Sequence, residues 1–131
     1  MTNDLTEIEL IVVSDTATAR TALESAAAAG RRITLLSPAA TSAAMGPGIF
    51  AEIVEIAGAG LEHALAGAVF DCADAAGLAM AALRRGGMDV LTDLDGDALA
   101  KLDGLAEAQG RRVLRRDDPA LTIRPAGDLQ P

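Results

Sequence analysis

The residues able to do chemistry are few, and most are carboxylates that follow an apolar run. Ser14-Asp15-Thr16 follows Ile8-Glu9-Leu10-Ile11-Val12-Val13. Ser37 closes Ile33-Thr34-Leu35-Leu36, and Asp71, Cys72 and Asp74 follow Ala68-Val69-Phe70. Asp93 and Asp95 follow Met88-Asp89-Val90-Leu91. Carboxylates that converge can hold a divalent cation, and hydroxyls at a helix start can hold an anion. The candidate ligand-binding set is therefore Asp15, Thr16, Ser37, Asp71, Cys72, Asp74 and Asp93, with Asp15 and Asp71 as weak metal candidates. No catalytic residue is assigned and no cofactor is required.

Each specific chemistry lacks a part. A phospho-accepting receiver needs a second acid beside Asp15, where Ser14 stands, and a lysine after the fifth strand. The one lysine, Lys101, sits mid-helix instead. An aspartyl-nucleophile phosphatase needs an acid two residues after its nucleophile as proton donor, but Ala17 stands there. A phosphate loop at Ser14 to Thr18 would set Asp15 against its anion. Asp93-Leu94-Asp95-Gly96-Asp97 imitates the start of a calcium loop, but Ala98 and Gly104 occupy the positions of its glycine and its bidentate acid. It reads as a helix cap. Cys72 has carboxylate neighbours, which suppress the thiolate, and His63 is far from it in sequence. A buried structural cysteine is the simpler reading. The capping preferences of Asp also account for much of the strand-end pattern.

The elements that must position these groups are legible. Strands are expected at residues 8–13, 31–36, 68–72, 88–91 and 111–115. Helices are expected at residues 16–29, from Pro47 or Gly48 to about Ala57, at 75–85, and from Asp95 or Asp97 to Gly110. Asp74 reads as the cap of the third helix. The alternation implies an α/β fold, a three-layer α/β/α sandwich around a five-stranded parallel sheet. The expected strand order is the flavodoxin-like 2-1-3-4-5, with a Rossmann-like 3-2-1-4-5 as alternative. Residues 1–116 read as a single domain and 117–131 as a proline-containing tail, in which Leu121-Thr122-Ile123 can add a short edge strand. In such sheets ligands bind at the carboxyl ends of the strands.

Composition narrows the function further. The 131 residues carry a net charge of -8, which disfavours nucleic acid as a partner. There is no Trp or Tyr and only two Phe, so stacking platforms are scarce. No apolar run approaches the length of a membrane span. The N-terminus lacks the basic start and apolar region of a secretory signal, and a lone cysteine forms no internal disulfide, so a cytoplasmic location is expected. The alanine-rich core buries little area per residue, and a homo-oligomer would recover it.

Gly48-Ile49-Phe50 and the run from Asp71 to Gly86 resemble small uncharacterised α/β proteins of proteobacteria. The resemblance covers about half of the chain, by motif position. It implies a bacterial cytosolic protein with a Rossmann-like fold, and no activity. The leading expectation is a non-enzymatic interaction or regulatory module. The alternative is a small-molecule or divalent-metal-dependent site at the carboxyl ends of the strands.

Overall fold

The structure, a computed structural model, describes residues 7–40 and 45–128. Six strands and four helices follow one another: β1 (Ile8–Val12), α1 (Thr16–Ala28), β2 (Ile33–Leu36), α2 (Pro47–Gly58), β3 (Leu65–Ala73), α3 (Ala76–Arg85), β4 (Asp89–Thr92), α4 (Gly96–Ala108), β5 (Val113–Arg115) and β6 (Leu121–Pro125). Short 3-10 turns precede β3 and follow β6. The α/β expectation and its parallel βαβ winding are present. All six strands are parallel, in the order β5-β4-β3-β2-β1-β6. This corrects the expected five strands and both expected orders.

The order has a physical consequence. Every βαβ step from β1 to β5 moves to the next strand in one direction. Right-handed crossovers in one direction place every helix on the same side of the sheet. In agreement, α1 packs on α2, α2 on α3 and α3 on α4. The helices therefore do not form two outer layers. A doubly wound sandwich needs a reversal of direction followed by a further crossover helix, and the one return of this chain, from β5 to β6, carries no α-helix.

The second face of the sheet is covered by the sheet itself. Arg115 and Leu121 are six residues apart, a reach of at most about 21 Å. In a flat sheet the two edges lie five strand spacings apart, roughly 24 Å, before the chain returns to the start of β6. The connection is also folded: the Asp118 N–H donates to the Arg115 carbonyl at 3.0 Å and the Leu121 N–H to the Asp118 carbonyl at 3.1 Å. Only a rolled sheet brings β5 close enough to β6. Leu10, Leu36, Val69, Leu91 and Leu114, one from each of five strands, meet inside the roll, with Ile8, Val12 and Leu121 against them.

The alternate strand residues point outward to the helices. Ile11, Leu35, Phe70 and Val90 pack there against Ala19, Ala22, Leu23, Phe50, Ala79 and Ala82. Small alanines let the helices approach the sheet closely, and Phe50 and Phe70 supply the bulk, with ring centroids 6.4 Å apart. Glu9 on β1 fixes β6 from outside, binding Arg124 at 2.6 Å and Arg31 at 2.7 Å.

Candidate functional site

The carboxyl ends of the strands open on the mouth of the roll, and Asp71 points into it. Its placement depends on a bulge. Asp71 pairs with Leu91 and Ala73 with Thr92, so Cys72 and Ala73 together oppose one residue of β4. Ala73 takes a positive φ of 50°, which costs an alanine about 1–2 kcal/mol. Three hydrogen bonds hold it there. The Ala73 N–H donates to Asp71 Oδ1 at 3.0 Å, and the Ala73 carbonyl accepts from Thr92 Oγ1 at 3.0 Å and from the Asp93 N–H at 2.8 Å.

Asp71 is only 3% exposed and is held from several sides. Its N–H donates to Ser37 Oγ at 2.8 Å, and its carbonyl accepts from the Ala40 N–H at 3.0 Å. Arg116, which follows β5, reaches over the mouth. Its Nη2 donates to Asp71 Oδ1 at 2.6 Å and its Nε to Asp93 Oδ1 at 2.8 Å. These bonds, first that to Asp71 and then that to Asp93, raise the guanidinium pKa further. The trio carries two negative charges and one positive. Beside it runs a cleft of about 380 Å³ lined by Asp93, Asp95, Leu99, Arg115 and Asp117 among others.

The remaining candidates are placed apart from this trio. Asp15 is exposed and caps α1: the Thr18 N–H donates to its Oδ1 at 2.7 Å, and the Asp15 N–H donates to Thr18 Oγ1 at 3.2 Å. That bond from Thr18 lowers the Asp15 pKa. The carboxylate is turned into its own helix terminus, as capping chemistry requires. Thr16 is the first residue of α1. Asp74 is exposed in the turn after β3, and it does not cap α3; Ala75 holds that position with no side-chain bond. Asp95 occupies the cap position of α4, also without a side-chain bond. Among the described residues no three His, Cys, Asp or Glu side chains converge as metal ligands.

No known family, characterised protein or solved structure matches the chain. Among the described residues no helix is long and apolar enough to cross a membrane.

Cys72 faces the helices rather than the mouth and is fully buried. Its thiol donates to the Leu91 carbonyl at 3.2 Å. Burial pushes its pKa up, and the charge of Asp71 adds to this. The folded state therefore keeps the proton that the unfolded chain releases near pH 9. The stability from this group is complete below that pH and falls as pH rises through the folded value. Thermal melts of the wild type should decline above about pH 9 more steeply than those of Cys72→Ala. Parallel declines would assign the alkaline loss to other groups.

Reading the strand ends drew attention to Ser37, Asp71 and Asp93, and did not anticipate Arg116 or the bulge at Ala73. A signal for Arg116 exists. A carboxylate at the end of a strand as apolar as β3 has to be buried, and a buried carboxylate requires a cation or donors.

Proposed function

We propose that this chain is a non-enzymatic interaction module that docks protein through the outer face of α2. One observation carries the reading: Ile49 and Ile56 on this helix are each 55% exposed, while the same helix buries Phe50 and Ala57 completely. Isolated exposed apolar residues are ordinary, but two on one stripe of one helix form a patch of the kind that marks an interface. The strand-end carboxylates support the same reading, because their bonds are structural. Asp15 caps a helix, and Arg116 joins Asp71 to Asp93.

The test compares two baits in a pull-down, the wild type and the double variant Ile49→Asp, Ile56→Asp. Exposed positions tolerate polar residues, so the variant should keep its circular dichroism spectrum and its melting temperature. Bands present with the wild type and lost with the variant are expected. A band pattern identical for both baits would remove α2 as the docking surface.

A further inference from the structure

We infer that the partner docked by α2 is a basic amphipathic helix, an apolar stripe bordered by arginine or lysine; this step rests on the docking role given to α2 above.

The position of Glu52 carries the inference. It lies three residues after Ile49 and four before Ile56, and on a helix both separations make surface neighbours about 5–6 Å apart. At 100° per residue the three fall within an arc of about 60°. A partner that covers both isoleucines therefore touches Glu52 and takes water from its carboxylate. Nothing in the chain offsets that loss. Glu52 is exposed, and its side chain makes no ion pair among the described residues. Glu55, three residues on, is also exposed and without an ion pair among the described residues, and it extends the acidic border. A charge that loses water without gaining a counter-charge opposes association, so the partner must bring the cations.

The cations of the neighbouring helices are turned elsewhere. Arg20 of α1 reaches the far end of α2, where its Nη1 donates to the Ala57 carbonyl at 3.2 Å and the Ala59 carbonyl at 2.6 Å, and its Nε faces Glu24 at 3.4 Å. Arg85 of α3 lies on the opposite flank, in a cleft of about 450 Å³ shared with Ala51, Val54 and Glu55.

The same geometry argues against a second copy on this face. A two-fold axis that sets Ile49 against the copy's Ile56 brings Glu52 beside the copy's Glu52, and like charges in contact oppose binding. A helix of opposite charge matches instead. Apolar residues seven apart repeat the isoleucine separation of about 10.5 Å, and cations three or four residues from them stand opposite Glu52. The isoleucines supply the affinity. The carboxylates supply the choice of partner, because exposed ion pairs add little on their own.

The full chain is titrated, by fluorescence anisotropy, against a labelled synthetic helix of about 18 residues, long enough to be helical. It carries leucines on one face and arginines beside them; a control peptide has glutamate for each arginine. The wild type should bind the arginine peptide about 10-fold or more tightly than the glutamate peptide. Ile49→Asp with Ile56→Asp should weaken the arginine peptide by about 30-fold or more, as the loss of interface anchors does. Glu52→Arg should remove the preference between peptides. Glu107→Arg, an equal change of charge at an exposed site on α4, should leave it. Equal binding of both peptides, lost in the isoleucine variant, would overturn the basic partner and leave the docking role standing. Arginine-peptide binding unchanged in the isoleucine variant would overturn both. Loss of preference in Glu107→Arg as large as in Glu52→Arg would assign it to overall charge and overturn the role of Glu52. Binding of neither peptide would overturn the basic helix and leave the docking role to the comparison of baits.

Discussion

Replacing Arg116 by alanine is expected to lower the unfolding free energy by about 2 kcal/mol, although the residue lies near the end of the described chain and its side chain is 37% exposed. The cost arises at Asp71, whose side chain is only 4% exposed. Without the guanidinium the carboxylate keeps the Ala73 N–H but loses its counter-charge. Removing one partner of a fully buried ion pair costs roughly 3–5 kcal/mol. The exposed guanidinium is screened by water, which reduces that figure. Asp71→Asn should cost less, because an asparagine carbonyl still accepts the Ala73 N–H and no charge is left buried. Adding Asp71→Asn to Arg116→Ala should recover part of the loss, and a double-mutant cycle isolates the coupling. The measurement is a shift in the urea midpoint at constant slope. A midpoint for Arg116→Ala equal to that of wild type would mean that water replaces the arginine fully.

Phe70→Ala should have the larger effect, about 4 kcal/mol. Phe70 is fully buried between the outer face of β3 and the helices, tilted against Phe50. Its neighbours limit any collapse around the hole. Ala19, Ala22, Ala79 and Ala82 have no side-chain length with which to fill it. For a chain of this size the melting temperature should fall by roughly 12 °C or more. Phe70→Leu, which keeps most of the volume, should cost about 1.5 kcal/mol or less. Equal melting temperatures for Phe70→Ala and wild type would show that the helix–sheet packing is looser than the buried rings indicate.

The elements were far more legible than their arrangement. Ile8 to Val13 reads as a strand and is one over Ile8–Val12, and the helix read at 16–29 spans Thr16–Ala28. These follow from local rules: β-branched runs, helical spacing and a glycine after each helix. Lateral strand order leaves no local trace, since short connections are equally compatible with stepping left or right. The apolar character of β1 on both faces also misled, suggesting helices on each side. Leu10 is covered instead by Leu36, Val69 and Leu114 from inside the roll. At the mouth, Ser37, Asp71 and Asp93 were legible from their place at strand ends. Arg116 was obscured among Arg111, Arg112 and Arg115, all three of which bind other carboxylates, Asp89 or Asp103. Its role depends on the rolled shape, which brings it over the mouth 45 residues after Asp71.

The pairing of β1 with β6 also sets the order in which this chain can assemble. β1 meets β2 over short separations, with Leu10 opposite Thr34, 24 positions on. Ile8 meets Leu121 across 113 positions. Closing the longer loop costs about 1.4 kcal/mol more in chain entropy by the logarithmic law. β6 returns little for that cost, because four of its five residues are exposed. The strands from β1 to β5 can therefore zip through neighbouring contacts, each step prepared by the one before. β6 joins last and leaves first, a fast-opening edge on a rolled sheet whose other joints are local.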